Sequence, residues 1–259
     1  MTNEVLKPVH PNAGIEAAYR KKLKRLISEM NESIFYWLTA RYKAEMAHDE
    51  SSVDELQGQL NKLTTQWQTN FDDSARKLAE WFGQKTKNYA DGSLDRVLKE
   101  AGMTVEFKMT EGMNSTFSAV VEENVGLIKS IAQEHLSEVQ GLVMRSVQNG
   151  RNLGYLHDEL RKRYGITKRR AELISRDQNN KATASLTRTR QIDLGIKQAM
   201  WKHSTAGKHP RPGHVQAGKD KLVYDLDKGA YIDGEWIFPG ELINCRCVAI
   251  PIIPGLRGN

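Results

Sequence analysis

Residues 231–238, Tyr231-Ile232-Asp233-Gly234-Glu235-Trp236-Ile237-Phe238, decide how the end of this chain folds. Two short β-type runs flank Asp233-Gly234, and Asp-Gly supplies the positive φ angles of a type I′ turn, so the segment predicts a hairpin. Leu222-Val223-Tyr224 predicts a strand before it, and Cys247 to Ile250 predicts a last short strand ahead of Pro251. Pro210, Pro212 and Gly213 predict an irregular loop. Together these make a small, turn-rich β unit.

Upstream the pattern is helical. Ile15, Tyr19, Leu23, Leu26, Ile27, Met30, Ile34, Trp37, Leu38 and Tyr42 recur at steps of three and four, placing them on one face of a long helix. After the polar break 48–52, Val53, Leu56, Leu60, Leu63 and Trp67 follow heptad spacing, which Ala75, Leu78, Trp81 and Phe82 extend. The two helices are expected to form an antiparallel hairpin, with Trp37, Trp67 and Trp81 as core or interhelical anchors. A short helix is expected from Ser93 to Ala101, then a short strand over Thr104 to Met109. Ser115 is expected to cap a helix that Asn149-Gly150 closes. A shorter helix follows over His157 to Tyr164, and Thr167 caps a basic one running to about Ala199, with Ala171, Ile174, Ala182, Leu186 and Ile192 as core positions.

The fold class is therefore α+β: a predominantly helical N-terminal body of long amphipathic helices and a small β-containing C-terminal unit. The expected domains are 1–110, a helical region with the hairpin, and 111–259, helical to about residue 200 and then β-rich. Of the 259 residues, 39% are hydrophobic and 27% charged, which suits long solvated helices around modest cores. The net charge of +6 permits contact with a polyanion. No run approaches the roughly 20 apolar residues of a membrane span. No secretory signal opens the chain, and two cysteines make no disulfide framework, so synthesis in a reducing cytoplasm is expected.

Both cysteines, Cys245 and Cys247, lie one residue apart, poorly placed to bond to each other. With His203 and His214 they would complete a zinc tetrahedron, with His209 a further histidine of the same stretch. Only Arg246 stands between the cysteines, where a zinc knuckle usually has two residues, so the expectation is buried or half-buried strand thiols and no metal or other cofactor. No cysteine-protease signature surrounds either thiol, and no phosphate loop or dinucleotide fingerprint is present. Asp225, Asp227, Asp233 and Glu235 are expected to be solvated rather than to hold magnesium. Arg161, Lys162, Arg163, Lys168, Arg169 and Arg170, with Arg188 and Arg190 beyond them, are either phosphate contacts or ordinary helix charges paired with Glu159, Glu172 and Asp177.

Arg170-Ala171, Ile174-Ser175-Arg176-Asp177, Gly195, Trp201, Arg211, His214, Gly218, Phe238-Pro239-Gly240 and Asn244-Cys245-Arg246-Cys247 occur in an order that resembles the phage Mu protein F-like family of minor head, or head-morphogenesis, proteins. The resemblance covers about residues 150 to 252. At Ser175-Arg176-Asp177-Gln178 the family more often has alanine, arginine, threonine and glutamate. The resemblance implies a non-enzymatic minor capsid protein of a tailed bacteriophage or prophage, assembled in the host cytoplasm and carried inside the procapsid. Its implied partners are the portal protein, the scaffold or major capsid protein, and double-stranded DNA bound without sequence specificity, with no membrane. Arg176, Trp201, Arg211, His214, Gly218, Pro239, Gly240, Cys245, Arg246 and Cys247 are then a fold signature. Arg211 and Arg246 are expected to pair with Asp225 or Glu241 and so pin the irregular loop onto the hairpin. The alternatives are a zinc-stabilised DNA-binding protein and a phage-encoded nuclease or toxin-like enzyme.

Overall fold

The computed structural model describes residues 4–47, 53–150, 152–205, 207 and 209–253. The polar break at 48–52 lies outside the described residues. Among them the elements run β1 (Glu4–Val5), α1 (Ala13–Ala47), α2 (Val53–Glu100), α3 (Glu111–Gln148), α4 (Leu153–Asp193), β2 (Gln198–Lys202), α5 (Pro212–Lys219), β3 (Val223–Asp225), β4 (Ala230–Ile232), β5 (Glu235–Ile237) and β6 (Val248–Ile253). The α+β class, with a helical body and a small strand-containing C-terminal region, is the one the sequence predicts.

The chain forms two compact units that interleave in sequence. One comprises residues 18–79 and 122–174, the other residues 1–17, 80–121 and 175–259. These units do not follow the boundary expected near residue 110, because the long helices supply residues to both.

The first unit is an antiparallel four-helix bundle. Arg41 pairs with Glu55. Gln140 donates to Thr64 at 3.3 Å, and Lys129 meets Asp72 at 3.1 Å. His135 Nδ1 lies 2.8 Å from Thr167 Oγ1, and His157 Nε2 lies 2.8 Å from Thr39 Oγ1. Each pair joins one helix to the next around the bundle. The apolar spacing of the sequence forms the core: Tyr19, Leu23, Ile27, Met30, Ile34, Leu38 and Tyr42 from α1 are buried, as are Leu56, Leu60, Leu63 and Trp67 from α2. Trp37 is not a core anchor; it is 48% exposed and stacks edge-on with Tyr36.

The second unit holds a four-stranded antiparallel sheet of order β1-β6-β2-β3 and the separate hairpin β4–β5. The hairpin turns at Asp233 (φ 54°) and Gly234 (φ 91°), the paired positive angles that the Asp-Gly sequence predicts. A core of Ile196, Ala199, Trp201, Ala217, Tyr224, Leu226, Ile237, Cys245 and Cys247 lies beneath these strands.

Several helix limits differ from the sequence expectation. Ser93 to Glu100 is the end of α2, since Ala90, Leu94 and Leu98 keep burying one face past Gly92. Residues 104–108 alternate in burial as predicted, but Met109 is 49% exposed and the segment pairs with no described strand; Val105 and Phe107 pack on the cluster that holds Leu94 and Leu98. Thr110, not Ser115, caps α3 by accepting the Met113 N–H at 3.0 Å. The two helices expected over 157–199 are one, α4. Asn152 caps it, Thr167 lies mid-helix with its hydroxyl donated to the Arg163 carbonyl, and Gly195 (φ 76°) ends it well before Ala199. Ile192, an expected core position, is 37% exposed, and Pro212 starts a helix where a loop was expected.

Candidate functional site

The second half of α4 holds the signature segment. Asp177, buried to 7% exposure, accepts the Asn244 backbone N–H at 2.8 Å through Oδ1 and pairs with Lys181 at 3.1 Å through Oδ2. Arg176 donates to the Asn244 side-chain oxygen at 2.8 Å, and Asn180 donates to the Cys245 carbonyl at 3.1 Å. Residues 176, 177 and 180 lie on one helix face, so a single row of polar side chains binds two consecutive residues of the loop. Asn244 itself has φ 61°, a left-handed conformation that asparagine tolerates better than most residues.

Further along the helix, the Arg188 guanidinium lies 3.7 Å from the centre of the Phe238 ring. Gly240 has φ 86°, and a Cβ there would stand 3.0 Å from the Ala184 Cβ. Pro239 is buried between these two residues. Phe238-Pro239-Gly240 and Asn244-Cys245 are thus both seated on α4.

Beyond Asn244 the side chains alternate: Cys245 and Cys247 are buried and Arg246 is exposed. Both thiols turn inward onto His214, the third residue of α5. Its Nδ1 lies 3.5 Å from Cys245 Sγ and 3.8 Å from Cys247 Sγ, and the ring meets Trp201 edge-on at 5.0 Å. The thiols share charge unequally. A hydrogen bond from Cys247 lowers the Cys245 pKa, with a further contribution from His214 and against the effect of burial. The same bond and burial push Cys247 up. His203 is half-buried and stands outside the trio, with its backbone against α5: a Cβ on Gly218 would lie 2.5 Å from His203 Cβ. His209 is exposed.

Arg211 pins the loop through a different partner from the one expected, donating to the Ile243 carbonyl at 3.1 Å. Glu241 accepts the Phe238 N–H and Asp225 the Asp227 N–H, so these carboxylates serve their own turns.

These seated residues fall within a segment that resembles known proteins. Residues 137–250 match the family described as Phage Mu protein F like protein. Over this segment the chain is similar to that family. The match begins upstream of the resemblance seen from about residue 150, inside α3. An uncharacterized protein of Haemophilus influenzae is 27% identical over 253 residues, spanning 95% of this chain and 55% of its own length. The chain therefore spans about half the length of that curated relative. No solved structure matches it.

The basic residues of the run 161–170 divide into two groups. Arg163 and Arg170 both pair with Glu134, and Arg170 also donates to Ser130. Arg161 and Lys162 are exposed and make i,i+3 pairs with Asp158 and Glu159. Arg169 is exposed, and Lys168 lies 4.8 Å above the Tyr164 ring. Arg190 is set apart from all of these. Its side chain is 3% exposed, it forms a bidentate pair with Asp91 at 2.7 and 3.0 Å, and it donates to the Lys108 carbonyl. Among the described residues no helix is long and apolar enough to cross a membrane.

Proposed function

We propose that this chain is a head-morphogenesis protein of a tailed phage or prophage, carried in the capsid as a minor component and attached to the portal. The observation that carries this reading is the Mu F-like match over residues 137–250. That match includes every residue of the α4 face that binds the Phe238–Cys247 loop. The chemistry of that face supports a scaffolding role. Asp177 and Asn180 are spent on backbone groups of the loop, Arg176 on the Asn244 side chain and Arg188 on the Phe238 ring, fixing a surface rather than facing a substrate. Portal attachment is tested by co-sedimentation of the purified chain with portal rings from its own phage. Binding at a fixed ratio to the ring is expected, and a chain left wholly in the supernatant would contradict the attachment.

DNA contact belongs to the same reading. The exposed members of the basic run, Arg161, Lys162 and Arg169, with Lys168 beside them, are the cations placed to reach phosphates. Arg163 and Arg170 serve mainly to pair with Glu134. Charge reversal at Arg161, Lys162 and Arg169 should flatten the salt dependence of DNA binding by about 0.9 in log–log slope for each phosphate no longer neutralised. An unchanged slope removes these residues from the interface.

A further inference from the structure

Cys245, Cys247 and His214 are all buried, and their ligand atoms lie within 4.8 Å of one another. Zinc bonds sulfur at about 2.3 Å and nitrogen at about 2.0–2.1 Å, so a tetrahedral ion holds sulfur and nitrogen ligands about 3.6 Å apart. The Nδ1–sulfur distances of 3.5 and 3.8 Å bracket that separation. We propose that Cys245 Sγ, Cys247 Sγ and His214 Nδ1 form a zinc site that fastens α5 to the segment leading into β6.

The short Cys-Arg-Cys spacing argued against a metal because a knuckle directs two thiolates inward from one turn. The structure achieves the same convergence differently. Burial alternates over Cys245-Arg246-Cys247, so the two thiols face one side, and α5 brings the histidine to that side. The groups around the sulfurs suit thiolates. Backbone N–H groups of Gly240 and Cys247 point at Cys245, and that of Ser204 points at Cys247. The buried Trp201 indole nitrogen has no hydrogen-bond partner of ordinary geometry and lies beside Cys247 Sγ, where its N–H favours the charged sulfur. Two thiolates and an imidazole select zinc over hard cations such as magnesium or calcium. On binding, the thiols lose their protons to solvent. Three protein ligands leave one coordination position, which falls to water rather than to His203.

The test uses the full chain, purified and kept reduced. Zinc titrated against a chromophoric chelator should bind at one ion per chain, and cobalt in its place should give the thiolate-to-metal absorption of a tetrahedral site. Cys245→Ser and Cys247→Ser should each weaken zinc retention at least about tenfold, while His203→Ala should retain it. Folded, reduced wild-type chain that takes up neither metal overturns the proposal, even if the cysteine variants fold poorly. Loss of zinc in a folded His203→Ala variant overturns the three-ligand assignment.

Discussion

Asp177 accepts the Asn244 N–H where the chain is left-handed. Asp177→Ala leaves a part-buried N–H unpaired and should cost about 1–3 kcal/mol, read as a lower urea midpoint. An unchanged midpoint would show that the loop is held by other means. A second residue governs the response to acid. His135 is buried; its Nδ1–H is donated to Thr167, whose own hydroxyl is donated to the Arg163 carbonyl, and its Nε2 has no partner. Burial, and secondarily the Arg163 charge, lower its pKa from 6.5 to about 4. The folded state therefore binds fewer protons than the unfolded chain between these values. Stability from this residue is complete above about pH 6.5 and declines as pH falls toward 4. The loss should reach about 2 kcal/mol by pH 5. His135→Gln should remove that part of the pH dependence, and a variant with the wild-type slope would contradict the assignment.

At the scale of elements, amphipathic spacing made the long helices legible. Tyr19 to Tyr42 and Leu56 to Trp67 repeat every three or four residues, and burial follows that repeat. Breaks were harder to place. Gly92 and Gly165 resemble stops, but each lies in a helix whose buried positions continue on both sides, so packing outweighs the local cost of glycine. Strand β1 is two residues long and pairs across almost the whole chain with β6, a partnership no local pattern can announce. The site was half legible. The order of Arg176, Gly240 and the Cys-Arg-Cys segment carried the resemblance, whereas the roles of Asn180, Ala184 and Arg188 depend on α4 lying beside the loop. Arg190 gives the test at this scale. Arg190→Met removes the bidentate bonds to the half-buried Asp91, leaving it only Lys87 at 3.4 Å, and should destabilise by about 1.5–3 kcal/mol. Adding Asp91→Leu should recover part of that loss, and a double variant no better than the single one would contradict a direct pairing.

For the whole molecule, sequence order was a poor guide to the compact units. Long helices run through both, so a boundary drawn near residue 110 divides each unit. This matters for truncation: a fragment beginning at residue 111 lacks α1 and α2, and with them Tyr19, Leu23, Leu56 and Leu60 of the bundle core. Functional measurements therefore need the intact chain. The central claim is that this chain joins the head through the portal. It is tested most directly by counting the chain, by mass spectrometry, in procapsids assembled from its own phage's portal, scaffold and major capsid proteins. A few copies per particle are expected, disappearing when the portal is omitted. Folded chain that stays out of complete procapsids, or is incorporated equally well without the portal, would contradict it.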